Sequence, residues 1–322
     1  WWALARPFQV GEAVWPFTLS PVPFAIAAAL LLGTIFALRT VRRSRAGLPT
    51  LLRFDLFAIP SFRNGNLAAM IVSLGEFGII LALPLWLQNV LGYSAFQTGL
   101  ALLGLAGGSF AASGIAGALN GRLSPASIVR IGLTAEIVGV TALGLLVGPS
   151  TPWQAVVGAL IVYGFGVGLA TAQLTGVVLV DVPVQRSGEG SGVQSTSRQL
   201  GSALGIAVLG TVLFTSIGVQ LDASLRSADV PAGERESVVR AVVDSAGGAI
   251  PGLAKDPRTA IAYEPARQAF SDGTRYAAFA AAGFLVIGLG ASFSLGDPRR
   301  RPGLASQAAP VPAWEPVDRP PR

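Results

Sequence analysis

Residues 67–87 read LAAMIVSLGEFGIILALPLWL, twenty-one residues with a single charge, Glu76, near the centre. Roughly twenty apolar residues in a helix cross the hydrocarbon core of a bilayer, so the length and composition of this stretch predict a membrane span. An ionisable side chain at the midplane costs at least about 2.5–3.5 kcal/mol. Glu76 is therefore the first residue to suspect of function.

Outward from that stretch, the same kind of run recurs at Pro21–Leu38, Thr98–Leu119, Ile128–Val147, Trp153–Val180, Leu200–Ile217 and Tyr276–Leu295. None shows the two-residue alternation of a membrane β-barrel. The fold class expected is an all-α membrane protein with seven transmembrane helices. Composition agrees: 52% of the residues are hydrophobic and 12% charged, against about 25% charged in a soluble domain.

The net charge of +6 comes from arginines in short clusters beside the apolar runs. No basic face or aromatic platform accompanies them, so no nucleic-acid partner is expected. The chain has neither Cys nor His. Disulfides, thiolate chemistry and the commonest metal ligand are thereby excluded, and carboxylates are left as the proton carriers within the spans. No phosphate-binding G-x-x-x-x-G-K-[ST] loop occurs. Without a nucleophile–base pair or paired acids in one span, the sequence points to no enzyme, no cofactor and no metal.

Lys and Arg collect on the cytoplasmic side of short loops. Arg39, Arg42, Arg43, Arg45, Arg53 and Arg63 follow the first span, Arg122 and Arg130 the third, Arg186 and Arg198 the fifth, and Arg299, Arg300 and Arg301 the seventh. The opposite short loops, QNVLGYSAFQ and GPSTP, carry none. The alternation predicts a multi-pass protein of the cell (inner or plasma) membrane with its C-terminus in the cytoplasm. It also places residues 1–20 outside, which requires an earlier span; the chain opens on Trp1 without Met and reads as a fragment. In the long connection 220–275, ERESVVRAVVDSAGGAI and PRTAIAYEPARQAFSDG have apolar positions at helical spacing, which fits two short surface helices, with a flexible loop as the equal alternative.

Two segments carry a family resemblance. FRNGNLAAMIVSLGEFGIILALPLWLQNVLGYSAFQTGLALLGLAGG resembles the start of the C-terminal bundle in the fourteen-span drug/proton antiporter branch of the major facilitator superfamily. VDVPVQRSGEGSGVQSTSRQLGSALGIAVLGTV resembles that branch's stretch between its twelfth and thirteenth spans. The resemblance implies a linking transmembrane helix with a basic cytoplasmic loop over 21–65. A C-terminal six-helix bundle follows over 66–297 with an external loop at 218–275, and a disordered cytoplasmic tail over 298–322; the N-terminal bundle is missing. It also implies alternating access, protons as coupling ions and a lipophilic small-molecule substrate, cations among the candidates. The family's loop motif G-x-L-x-D-R-x-G-R-R survives only as Gly117, Leu119 and Arg122 in GALNGRLSPASIVR, with Gly121 at the acidic position.

Glu76 shares a helical face with Ser73 and Ile80. If a cavity opens to the two sides in turn, the hydration of this carboxyl changes, and with it its affinity for a proton. It could equally pair with a cationic substrate, or hydrogen-bond a neighbouring helix for structure. Glu136 lies mid-span in TAEIVGV and carries the same penalty. Gln173 and Gln194 are polar groups suited to lining a path, Gln194 with the alternative of satisfying a helix end. Phe77, Trp86 and Phe110 could form an aromatic wall for cations. For Trp86 and Trp153, near span ends, interfacial anchoring is the preferred reading. Arg198 could reach the headgroups or pair with Asp181 as an inner-end ion pair, and the pairing is the preferred reading. The small-residue repeats Gly104/Gly108, Gly164/Gly168 and Gly201/Gly205 suit close helix packing. A competing function is a non-transporting membrane sensor or scaffold that uses the external loop 220–275.

Overall fold

The computed structural model describes residues 9–10, 13–14, 22–46, 48, 50, 52–119 and 122–293. The external loop expected at 1–20 falls mostly outside these residues, and Gly121, Arg299, Arg300, Arg301 and the tail 298–322 fall entirely outside them. The chain divides into two compact units, Trp1–Ala58 and Ile59–Arg322.

In the first unit, β1 (Gln9–Val10) and β2 (Ala13–Val14) form a minimal antiparallel ladder. Helix α1 (Val22–Arg45) follows, and Phe54–Ala58 closes the unit as a 3-10 turn. Large apolar side chains along α1, among them Phe24, Leu30, Leu31, Leu32 and Phe36, are exposed, as befits a helix solvated by lipid. Its last turn carries Arg42, Arg43 and Arg45, where the partial negative charge of the helix C-terminus favours cations.

The second unit contains α2 (Pro60–Asn89), α3 (Ala95–Leu119), α4 (Pro125–Leu146), α5 (Trp153–Val178), α6 (Ser187–Ser227), α7 (Ala232–Asp244), α8 (Ile250–Leu253) and α9 (Tyr263–Ser292). Among the described residues, seven helices, α1 to α6 and α9, are long and apolar enough to cross a membrane. Pro60 and Pro125 stand at first-turn positions, where a missing N–H costs nothing, and Ser124 caps α4 by accepting from the Ser127 amide.

Two expected boundaries change. The segment expected as a second surface helix is largely the start of α9, which runs unbroken from Tyr263 to Ser292. Helix α6 likewise continues ten residues past Ile217 to Ser227. The connection between them is thus 228–262, shorter than the expected loop 218–275. The first surface helix does form, as α7, with Val238 and Val242 buried and Arg235 joined to Asp222 of α6 at 3.1 Å.

The bundle is built from two triplets, α2–α3–α4 and α5–α6–α9, whose first helices are exchanged. Helix α2 packs on α6 and α9, α5 packs on α3 and α4, and α4 and α9 meet each other. Glycines make these contacts close. A Cβ on Gly164 or Gly168 would collide with the Leu105 or Ser109 carbonyl oxygen of α3, and one on Gly201 or Gly205 with Met70 or Leu74 of α2. The Gly104/Gly108 pair of α3 faces Val157 and Ile161 of α5 in the same spacing. Superposing the two glycine pairs sets Tyr163 of α5 on Glu76 of α2, each six residues beyond its contact residue. The two triplets thus repeat the same glycine contact in the same register.

At the end of the bundle that carries α7, α9 staples its neighbours. Arg267 donates to the carbonyls of Val90 at 3.1 Å and of Pro149, and Arg275 donates to the Val147 carbonyl at 2.9 Å. These carbonyls lie at or just beyond the ends of α2 and α4, where helical partners run out.

Candidate functional site

Glu76 sits midway along α2 and is 4% exposed. Its buried neighbours on the same stripe are Val72, Ser73, Ile79 and Leu83; Ile80, expected on that face, is 45% exposed. The stripe turns toward α5 and α6 because Gly78 seats against Leu209 of α6 and Tyr163 of α5 donates to the Glu76 carbonyl oxygen at 3.4 Å.

The partner of the Glu76 carboxylate is Arg198, whose Nη2 stands 3.9 Å from Oε2. The sequence pairs Arg198 with Asp181; in the structure Asp181 instead accepts from Ser61 Oγ at 2.8 Å. Arg198 takes the inward direction because it lies on the Gln194–Arg198–Gly201–Gly205 stripe by which α6 faces α2. Gln194, one turn earlier, is buried with its Nε2 making no hydrogen bond among the described residues.

Glu136 lies at the centre of α4, with no exposed surface. Both of its carboxylate oxygens are buried and accept no hydrogen bond among the described residues. It faces α5 across Gly166: a Cβ there would strike the Glu136 amide and the Gly132 carbonyl. One turn along α4, Gly139 takes the backbone of Tyr163 in the same way. Tyr163 thus touches both Glu76 and the α4 turn beyond Glu136, and Arg198 stands beside Glu76, so two carboxyls from α2 and α4, a guanidinium from α6 and a phenol from α5 are gathered in the bundle interior.

The remaining sequence candidates are placed elsewhere. Gln173 is half-buried two turns beyond Gly166 on α5. Phe77 is 37% exposed and Phe110 85% exposed, whereas Trp86 is completely buried and donates from Nε1 to Ser271 Oγ at 3.2 Å. These three rings therefore form no common wall, and Trp86 is a core residue rather than an interfacial anchor. Trp153, by contrast, is exposed. In the loop motif, Gly117 has open space around it, Leu119 packs on the small core of Ala112, Ala116, Ile128 and Leu169, and Arg122 is exposed. Tyr163 was not singled out by sequence; a phenol within the otherwise apolar run of α5 is the signal that marks it.

No group of three or more metal-ligating side chains occurs among the described residues. The cluster can hold a proton, exchange ion-pair partners, or pair a carboxylate with an external cation.

Residues 10–206 match the sequence model of the Major Facilitator Superfamily. The chain is 31% identical over 226 residues to a probable actinorhodin transporter of Streptomyces coelicolor, covering 69% of this chain and 38% of that protein. It is 30% identical over 237 residues to the multidrug resistance protein Stp of Mycobacterium tuberculosis, covering 70% and 43%. It is also 31% identical over 252 residues to the multidrug efflux pump LfrA of Mycolicibacterium smegmatis, covering 77% and 48%. The chain thus spans less than half the length of each of these relatives. With seven spanning helices, six of them in one exchanged-triplet bundle around a buried charge cluster, and a family match over more than half its length, this chain belongs to the Major Facilitator Superfamily.

Proposed function

We propose that this chain is the C-terminal half of a proton-coupled efflux transporter for multidrug-type small molecules, working by alternating access in the cell membrane with its C-terminus in the cytoplasm. The observation that carries this reading is two carboxyls, Glu76 and Glu136, held in the interior of a bundle of spanning helices, with one arginine, Arg198, 3.9 Å from Glu76. Acids are retained at such depth where their protonation or pairing is used. A proton and a lipophilic cation compete for the same carboxylate charge, so loading one releases the other. Rocking against a second bundle would present that charge to each side in turn. The names of the relatives support small-molecule export, and the arginine pattern of the short loops supports the orientation.

The test is transport by the uninterrupted protein in everted membrane vesicles, with ethidium as the probe. An imposed proton gradient is expected to drive ethidium accumulation in the wild type, and the double variant Glu76→Gln/Glu136→Gln is expected to abolish it. A wild type that ignores the gradient, or a double variant that still responds to it, overturns the reading.

A further inference from the structure

Two carboxyls and one guanidinium cannot all be matched, and the geometry says which acid is left over. Arg198 is cationic at any physiological pH, and its one ion-pair contact is with Glu76. Glu136 has neither a hydrogen bond nor an ion pair among the described residues, and no exposed surface. A buried carboxylate without such compensation is destabilised by several kcal/mol, which the neutral acid avoids.

The charged and titratable groups around Glu136 can be counted element by element. Helix α2 contributes Glu76, α5 the buried Tyr163, and α6 Arg198. The stretch of α9 packed along α4, from Ala277 to Leu289, has no titratable side chain. On α4 itself, Arg130 lies six residues before Glu136 and is engaged at the start of the helix, donating to the Ser292 carbonyl at 3.3 Å with its guanidinium 4.5 Å from the Phe293 ring centroid. Among the described residues, no cation other than Arg198 is therefore in a position to serve Glu136.

On these grounds, and resting on the transporter reading above, we propose that Glu136 takes up and releases the transported proton, while Arg198 keeps Glu76 a carboxylate that a substrate cation can claim. In one half-cycle a proton from water on one side bonds to a Glu136 carboxylate oxygen. In the other, that O–H bond breaks and the proton leaves to water on the opposite side, with the carboxylate regenerated as a substrate cation moves the other way. Sealing and unsealing follow from the contact with α5. The wall over Glu136 is the side-chain-free Gly166, and Gly132 and Gly139 of α4 seat the Ala170 and Tyr163 backbones beside it, so a displacement of α5 from α4 is what uncovers the acid. The 3.9 Å separation of Arg198 from Glu76, with no hydrogen bond between them, leaves that ion pair open to displacement by a substrate cation.

Infrared spectroscopy of the purified, membrane-reconstituted full-length protein tests this without requiring a substrate. Exposed carboxyls are ionised at pH 7, so a protonated-carboxyl C=O stretch at that pH reports a buried acid. One component of the band is expected to be lost in Glu136→Gln relative to the wild type, and to be retained in Glu76→Gln and, shifted, in Glu136→Asp. In the ethidium assay, Glu136→Gln loses the response to the proton gradient, and Glu136→Asp, which keeps an acid there, restores it. A band that Glu136→Gln leaves unchanged, or a component lost with Glu76→Gln instead, overturns the assignment, as does an absent band in the wild type or an undiminished gradient response in Glu136→Gln. If gradient-driven efflux persists in the Glu136→Gln variant and fails in Glu76→Gln, the proposal falls while the transporter reading stands. A wild type with no gradient-driven efflux sinks the reading itself.

Discussion

Trp86 shows what a single residue's surroundings decide. Near the end of a span an indole ordinarily sits at the membrane interface, with its ring in the headgroup region and its N–H in water. Here the ring has no exposed surface, and its N–H is satisfied by Ser271, whose own hydroxyl donates to the Arg267 carbonyl at 2.9 Å. Trp86 thereby joins α2 to α9 just below the Arg267 staple. Replacing it by Phe removes one hydrogen bond and part of the ring volume, with an expected cost of about 1–2 kcal/mol; Ala leaves a cavity and costs about 3–5 kcal/mol. Unfolding of the reconstituted protein by sodium dodecyl sulfate, followed by circular dichroism, measures both; an anchor at the lipid surface would give nearly equal, small losses. The same reasoning separates Trp153, whose exposed ring has no such partner to lose.

At the scale of elements, glycines differ sharply by what faces them. Gly166 meets backbone atoms of α4, whereas Gly107 on α3 has nothing within 4 Å of the position its Cβ would take. A methyl group at Gly166 must push two helices apart, and overpacking of this kind costs about 1–3 kcal/mol. A methyl at Gly107 meets no neighbour and removes some freedom of the unfolded chain, so Gly107→Ala is expected to be neutral or stabilising by up to about 1 kcal/mol. Unfolding midpoints of the two alanine variants check the contrast, and equal midpoints would contradict the helix contacts described. Gly166→Ala should also alter transport, because it roughens the surface over Glu136 along which α5 must move.

For the whole molecule, the consequential statement is orientation. Within the second unit, the short loops that carry Arg122 and Arg186 and the α7 module fall at opposite ends of the spanning helices. This chain contributes no cysteine, so single-cysteine variants are read against the parent protein labelled in parallel. Ser237→Cys in α7 is expected to react with a membrane-impermeant thiol reagent in intact cells. Ser187→Cys, at the start of α6, is expected to react only after permeabilisation. The reverse pattern would invert the topology and with it the direction of transport. The exchanged triplets bear on mechanism at this scale too. Through Arg267 and Arg275, α9 ties the ends of α2 and α4 together at the end of the bundle near α7, whereas α4 and α5 meet through glycines that bring their backbones into contact.

What the sequence by itself determined is the number of spans, their approximate limits and the depth of the two acids. These depend on local composition and on a rise of 1.5 Å per residue, which no partner helix can alter. The surface helix α7 was legible for a similar reason, since its apolar positions recur at helical spacing. Where α6 and α9 end was not legible: their polar outer turns lack the hydropathy of a span and continue the helix only because α7, Arg267 and Arg275 hold them. Nor could the sequence choose a partner for Arg198. Asp181 and Glu76 are both carboxylates on neighbouring segments, and only the crossing of α6 on α2, set by the seating of Gly201 and Gly205 on the α2 backbone, directs the guanidinium to Glu76. That one tertiary contact is also what leaves Glu136 as the carboxyl without a counter-charge, because an arginine at a helix crossing has a single charge and a limited reach.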